Sequence, residues 1–111
     1  MEQNTDRTEA IVRLNDAFRK TFIGGRVLLT RGVAELDLAS QARLIMAVKT
    51  AQPKVENDPW GEHDFGAFDY ADERYFWKID YYALASETLS PDPSDPAVTR
   101  RVLTVMRADE Y

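Results

Sequence analysis

The chain has 111 residues, of which 44% are hydrophobic and 30% are charged, as is typical of a globular protein. Its length predicts a single domain, residues 1–111. The sequence contains no apolar run of the roughly 20 residues that a transmembrane helix needs, and its polar N-terminus predicts no signal peptide. The absence of cysteine excludes disulfides and thiolate zinc sites. We therefore expect a cytoplasmic protein that contacts no membrane.

Acidic charge is concentrated in the middle of the chain. Residues 53–96 contain 11 acidic and 3 basic residues, a net charge of −8. Residues 1–52, with 8 basic and 6 acidic residues, carry +2, and residues 97–111, with 3 basic and 2 acidic, carry +1. Because affinity for phosphates comes from Lys and Arg, direct nucleic-acid binding by the middle segment is disfavoured. A solvated acidic surface without a partner is the simplest interpretation of such a segment.

A first helix is predicted at about residues 6–22. Ile11, Leu14 and Phe18 follow one another at helical spacing and form one apolar stripe, and the glycines after Ile23 end the helix. The side chains off this stripe are Arg13, Asp16 and Arg19. A short strand is predicted to follow at residues 26–30.

A second helix is predicted from about Leu38 to Ala51, with Asp37 as its N-cap and Pro53 after its end. Its inner face is expected to carry Leu38, Ala42, Ile45 and Val48, with Met46 beside them.

An aromatic β-hairpin is predicted after the loop at residues 54–61. If Tyr70 pairs with Tyr75 across the polar break at residues 71–74, Phe68 faces Trp77 and Gly66 faces Ile79. Side chains alternate along a strand, so one face of the hairpin is predicted to be buried. That face carries Asp64, Gly66, Phe68, Tyr70, Tyr75, Trp77, Ile79 and Tyr81. The opposite face, which includes Lys78, is expected to be at least half solvated.

The C-terminal segment, residues 97–107, is predicted to form a helix. Asp95 and Pro96 suit a cap and a first helical position, and apolar residues then recur at helical spacing. The segment is also rich in Val and Thr, so a strand is a competing interpretation. The predicted fold is α+β, with two N-terminal helices, an antiparallel sheet of about three strands and a C-terminal helix.

Several stretches closely resemble an uncharacterised bacterial family, one of the numbered domains of unknown function. They are LNDAFRKTF, GGRVLLTRGV, NDPWGEHDFGAF, FWKIDYY and SPDPSDPAVTRRVLTVM. The resemblance covers about Ile11 to Tyr111 and implies a family of small proteins common in alphaproteobacteria and on their plasmids and integrated elements. Members often carry an acidic residue where this chain has Ala83, which makes a catalytic role for that position doubtful. They also tend to be apolar near Arg107. The resemblance implies no established activity, but it favours accessory or anti-defence roles of mobile elements.

Glu62-His63-Asp64 contains the only histidine of the chain. In a strand, His63 points to one face and its two acidic neighbours to the other, so the three side chains do not converge. A carboxylate-rich site of this kind would suit Mg²⁺, Ca²⁺ or Mn²⁺. As a general base, His63 would be oriented by Asp80 across the hairpin. This alternative is a small hydrolase-like or metal-dependent enzyme with His63, Glu62, Asp64 and Asp80 at its centre. We predict instead that His63 is structural, held by a neighbouring side chain such as Asp80 or by loop backbone, with no metal and no cofactor.

The favoured interpretation is a non-catalytic binding protein with a protein partner. Its acidic surface would occupy the basic surface of a nucleic-acid-binding host protein, since complementary potentials steer association. We expect this surface to consist of Glu56, Asp58, Asp69, Asp72, Glu73 and Asp80. The identity of the partner and the oligomeric state do not follow from the sequence.

Overall fold

The computed structural model describes the backbone of residues 2–111 and the side chains from residue 5 onward, and this range contains three helices and four strands. In chain order they are α1 (Glu2–Thr21), β1 (Gly25–Leu29), α2 (Arg31–Ala34), α3 (Leu38–Thr50), β2 (Phe65–Tyr70), β3 (Glu73–Ala83) and β4 (Thr99–Arg107). Short 3₁₀ turns at Val55–Asn57 and Ala108–Glu110 precede β2 and follow β4. The prediction of an α+β fold is confirmed. Among the helices described, none is both long and apolar enough to cross a membrane.

The strands form one mixed sheet in the order β1-β4-β3-β2. β2, β3 and β4 are antiparallel neighbours, while β1 pairs with β4 in the parallel direction. The predicted antiparallel sheet of about three strands is therefore wrong in two details. It lacked β4, and it did not include a parallel pair.

Residues 99–107 form the central strand β4, so the predicted C-terminal helix is wrong and the competing strand interpretation is right. Val102, Leu103, Val105 and Met106 are all buried, which means that both faces of this strand are covered. A central strand of this kind has a near-continuous apolar run, which resembles helical spacing over short distances. The apparent helix cap is a turn, in which the Asp95 carboxylate accepts a hydrogen bond from the Ala97 backbone at 2.9 Å.

The hairpin of β2 and β3 has a two-residue turn at Ala71-Asp72, where both residues have positive φ. This conformation matches the twist of the flanking strands. Tyr70 consequently pairs with Glu73, and Gly66 faces Trp77, so the predicted pairings are shifted by two residues. A shift of two leaves every side chain on its predicted face. The buried positions of Tyr75, Trp77 and Ile79 confirm the predicted core face, on which Phe68 is half-buried.

The helices pack on the same face of the sheet as Trp77, Ile79, Leu103 and Val105. Ile11 and Phe18 of α1 are buried, as predicted. The predicted inner face of α3 is partly wrong. Of its members only Val48 is fully buried, and it packs with Leu44, whereas Leu38, Ala42 and Met46 are exposed. Leu38 follows the N-cap directly, at the end of the helix, and α3 turns its Leu44 and Val48 side towards the sheet.

Arg19 is buried, although it was predicted to lie off the apolar stripe of α1. Its guanidinium lies 5.2 Å from the centre of the Trp77 ring. Nη1 donates to the backbone carbonyls of Val48 and Ala51 at 3.2 and 2.8 Å, and Nη2 pairs with Asp16 at 3.0 Å. A cation is favourable at the C-terminal end of a helix, where carbonyls lack intrahelical partners. Arg19 therefore ties α1 to the end of α3.

Candidate binding site

The segment before β2 is a loop built around Asp58. The carboxylate of Asp58 accepts hydrogen bonds from the backbone N–H groups of Glu62 and His63 at 3.0 and 3.2 Å. Gly61 and His63 have φ values of 68° and 57°, in the left-handed region. β2 begins only at Phe65, so strand alternation does not apply to His63 as the sequence suggested.

The side chains of Glu62, His63 and Asp64 nevertheless diverge. Glu62 accepts a hydrogen bond from the Tyr81 hydroxyl at 2.9 Å, His63 bonds to Asp16, and Asp64 lines an open cleft. The predicted contact between His63 and Asp80 is wrong, because Asp80 pairs with Lys78 at 2.8 Å. Glu62 and Asp80 lie close enough to Asp64 to act on its charge, but His63 contacts Asp16 and Asp58 instead, so the structure does not bring all four residues of the enzymatic alternative together.

Both ring nitrogens of His63 face carboxylates of the chain. Nδ1 lies 3.0 and 3.2 Å from the two Asp16 oxygens, and Nε2 lies 4.0 Å from Asp58 Oδ2. His63 thereby fastens the loop to α1. In the described part of the chain, no three His, Asp or Glu side chains are arranged to hold a metal ion.

A buried polar network fixes the same loop to the sheet. Arg101 Nε donates to Asn15 Oδ1 at 2.7 Å, and Asn15 Nδ2 donates to the Tyr81 hydroxyl at 2.8 Å and to the Glu62 carbonyl at 3.0 Å. The guanidinium of Arg101 also lies 5.2 Å from the centre of the Tyr81 ring. Burial raises the pKa of the Tyr81 phenol far above its usual value, so this hydroxyl stays a hydrogen-bond donor.

Beside the loop lies an open cleft of about 350 Å³, which we call the acidic aromatic cleft. It is lined by Glu56, Asn57, Pro59, Trp60, Asp64, Phe65 and Tyr111. Trp60 and Tyr111 are 75% and 76% exposed, which is unusual for side chains with so much apolar area. The Tyr111 ring packs edge-on against Phe65 and Phe76, with centroid distances of 5.7 and 5.6 Å.

Glu110 holds the segment that carries Tyr111. Its carboxylate accepts hydrogen bonds from the Thr30 hydroxyl at 2.7 Å and from the backbone N–H groups of Gly32 and Arg107 at 2.8 and 2.9 Å. The hydrogen bond from Thr30 is the main reason why the pKa of Glu110 is lowered. One wall of the acidic aromatic cleft is thus anchored to the end of β1 and the start of α2.

The lining of the cleft contains two carboxylates, Glu56 and Asp64, and no Lys or Arg. Residues 55–73 contain seven acidic residues and no Lys or Arg. Burial raises the pKa of Asp64 to about 6, and the negative charges of Glu62, Asp58 and Asp80 contribute to the rise. Neither Glu56 nor Asp64 forms an ion pair with any residue that the structure describes. An incoming cation would relieve this repulsion.

The other residues predicted for an acidic surface are placed differently. Three pair with a cation: Asp69 with Arg74 at 3.0 Å, Glu73 with Arg107 at 3.5 Å, and Asp80 with Lys78 at 2.8 Å. Asp58 is buried and holds the loop, and Asp72 lies in the hairpin turn. Of the six, only Glu56 lines the cleft.

The sequence pattern predicts no role for Trp60, Tyr111 or Asp16. One available signal was Trp60, a large aromatic residue between Pro59 and Gly61 in a turn sequence, where no strand or helix pattern predicts its burial. The contact between Asp16 and His63 has no comparable signal, because 47 residues separate the two along the chain.

Comparison with known proteins shows one match. The family model DUF3768, described as a protein of unknown function, matches residues 29–110. No curated protein and no solved structure matches the chain significantly. The resemblance to a domain-of-unknown-function family is thereby confirmed at the level of the family. Because the match covers most of the chain, the protein belongs to the DUF3768 family.

Proposed function

We propose that the protein is a non-catalytic binding module that holds a basic region of a protein partner in the acidic aromatic cleft. The observation that carries this proposal is the combination of Glu56 and Asp64, which lack a cationic partner in the described chain, with the exposed rings of Trp60 and Tyr111. Aromatic residues are enriched at the centres of protein interfaces, and complementary charge steers the encounter.

The contrast with the rest of the acidic segment supports this location. The carboxylates of Asp69 and Asp80 are already neutralised by nearby cations. Surface pairs of this kind contribute little and leave little charge for a partner. Asp64 instead lies among other carboxylates, and an arriving cation would meet a site that is formed but not electrostatically satisfied.

We also propose which class of protein the partner belongs to. A protein that binds nucleic acid presents Lys and Arg side chains arranged to contact phosphates, and an anionic module can occupy the same surface. We propose that this module acts in that way as an accessory or anti-defence factor of a mobile element. Two features support the proposal: the net charge of −8 over residues 53–96 and the absence of Lys and Arg from residues 55–73.

The test is capture from a lysate of the native host with the wild-type chain and with a Glu56→Gln/Asp64→Asn variant. Captured proteins are identified by mass spectrometry, and added duplex DNA serves as a competitor. We expect basic proteins to be retained by the wild type, released by DNA and lost from the double variant, because the cleft has lost both carboxylates.

The matched control is Asp72→Asn/Glu87→Gln, which removes the same charge from two exposed positions outside the cleft. It should retain the partners that the wild type retains. If the cleft variant and the control behave alike, or if the captured proteins are acidic, the cleft is not the binding site.

One observation favours the enzymatic alternative centred on His63. The imidazole is oriented by Asp16 and is one-third exposed at the edge of a second cavity of about 300 Å³, which Lys20 and Lys49 also line. A histidine held by a carboxylate can act as a general base. Against this role, its Nε2 already faces Asp58 at 4.0 Å. Hydrolytic activity that disappears in both His63→Ala and Asp16→Asn would favour the enzyme over the binding module.

A further inference from the structure

We propose that the acidic aromatic cleft is a receptor for a single arginine side chain of the partner, and that it binds this side chain with the Asp64 carboxylate ionised. This inference rests on the proposed function and specifies the chemistry that the cleft recognises. It is carried by the placement of two carboxylates and three aromatic rings around one cavity.

The volume of the cleft suits one side chain rather than a helix or a strand. A cavity of about 350 Å³ can hold a long side chain and a few water molecules. Its aromatic members are Trp60, Phe65 and Tyr111, and its charged members are Glu56 and Asp64. A cation with a planar, weakly hydrated head group can contact both kinds of wall.

Guanidinium fits these walls better than ammonium. It is planar and stacks on aromatic faces, and its five N–H donors can serve two carboxylates at once. Ammonium is compact and strongly hydrated, so it loses more on entering a partly apolar cleft. We therefore expect selectivity for arginine over lysine.

The chain itself shows the same pairing three times. The guanidinium groups of Arg19, Arg100 and Arg101 each lie 5.2 Å from an aromatic ring centre, over Trp77, Tyr82 and Tyr81 respectively. The Arg101 case is the closest parallel, because the Tyr81 hydroxyl also bonds to the Glu62 carboxylate. In the cleft, the rings and carboxylates are present but no arginine of the described chain occupies them.

Ionisation of Asp64 should control the affinity. Glu62, Asp58 and Asp80 act on Asp64 through their negative charge, and Glu56 and Tyr111 line the same cleft. Partial burial and the negative charges of Glu62, Asp58 and Asp80 raise the pKa of Asp64 to about 6, so the carboxyl takes up a proton just below neutral pH. A bound guanidinium favours the carboxylate, and binding should therefore weaken as the pH falls through about 6.

The experiment is a titration of the labelled full chain with three blocked tripeptides, Gly-Arg-Gly, Gly-Lys-Gly and Gly-citrulline-Gly, followed by NMR. The chain has two tryptophans, so its two indole N–H signals distinguish exposed Trp60 from buried Trp77. We expect the arginine peptide to move the Trp60 signal and leave the Trp77 signal in place. Citrulline has a similar shape without charge and should have no effect, and lysine should bind more weakly than arginine.

The pH profile gives the second readout. Between pH 7.5 and pH 5, affinity for the arginine peptide should fall by up to about tenfold per pH unit below about 6, the limit for one linked proton. Asp64→Asn should bind more weakly at pH 7.5 and lose this dependence, while Asp72→Asn should behave like the wild type. Trp60→Ala should weaken binding about tenfold at every pH.

Equal shifts with all three peptides, or shifts located away from Trp60, would overturn the arginine assignment. So would a wild-type affinity that does not change with pH. If the cleft carboxylates are needed to capture basic proteins but the arginine peptide leaves Trp60 unmoved, the proposed function stands and only this inference fails. If neither response depends on the cleft, both fail.

Discussion

Trp77 lies directly against the α-carbon of Gly66 on the neighbouring strand. A β-carbon placed on Gly66 would collide with the indole ring. The two residues are paired across β2 and β3, and the ring is only 1% exposed. Gly66 therefore leaves the space that the largest side chain of the core fills.

Truncation of the Trp77 side chain should destabilise the fold strongly. We expect Trp77→Ala to lower the free energy of unfolding by about 3–5 kcal/mol, because the change removes a large buried aromatic ring and leaves a cavity. Urea denaturation followed by circular dichroism measures the effect. A midpoint that hardly moves would show that the indole does not contribute to the core.

Gly66→Ala should destabilise the fold for the opposite reason. The added methyl group overpacks the contact with Trp77, and the cost of such overpacking is about 1–3 kcal/mol. In Gly66→Ala/Trp77→Ala the collision is absent, so the loss should be smaller than the sum of the single losses. Ala67→Ser, on the opposite face of the strand, provides the control. Additive losses would mean that the two positions do not share this space.

The core face of the hairpin could be predicted from sequence because it depends only on alternation. Tyr75, Trp77 and Ile79 occupy every second position, and this parity survives an error of two residues in the turn. The error arose because Glu73 and Arg74 are polar and seemed to belong to the turn. Positive φ at Ala71 and Asp72 allows a shorter turn. A glycine at either position would have predicted positive φ, but Ala and Asp do not.

The features that the sequence did not predict depend on contacts between distant parts of the chain. β4 is a strand because β1 and β3 both pair with it, which a local pattern of Val and Leu does not reveal. Arg19 is buried because Val48 and Ala51 offer it carbonyls, and its charge alone suggested exposure. The cleft similarly combines residues 56–65 with the distant Tyr111, so composition indicated its charge but not its position.

The buried network centred on Asn15 should be essential for stability. We expect Asn15→Ala to cost about 2–4 kcal/mol, since it leaves Arg101 without its buried acceptor and Tyr81 without a donor. Arg13→Ala, at an exposed position of the same helix, should change the stability by about 0.5 kcal/mol or less. Thermal and urea denaturation of both variants measure the difference. If the two variants lose the same stability, the network contributes little.

Removal of the Asp64 charge should stabilise the protein at neutral and higher pH. The pKa of Asp64 is raised from 3.8 to about 6 in the folded state, so the folded chain holds this proton more tightly than the unfolded chain does. The stability that this proton provides is fully present below pH 3.8, the ordinary pKa of the group, and is lost as the pH rises through about 6. Asp64→Asn should therefore have a higher melting temperature than the wild type at pH 8, with a gain that shrinks towards pH 4.

Asp72→Asn removes the same charge from the hairpin turn and controls for the change in net charge. A gain for Asp64→Asn that is equal at pH 8 and pH 4 would contradict the raised pKa. A gain confined to high pH would fit a carboxylate that is retained for binding at some cost in stability, as is common at functional sites.

His63 is predicted to be structural and to bind no metal, and two measurements address this prediction. His63→Ala loses the hydrogen bond to Asp16 but keeps the left-handed backbone, whereas His63→Gly loses the same bond and adopts that backbone without strain. The glycine variant should therefore be the more stable of the two by about 1 kcal/mol.

EDTA and added Zn²⁺, Mn²⁺ or Mg²⁺ should leave the wild-type melting temperature unchanged. A metal that binds only the native state would add about 2.7 kcal/mol at a hundredfold excess over its dissociation constant. A rise of several degrees in the wild type that is absent from both variants would make the Asp16, Asp58 and His63 cluster a metal site.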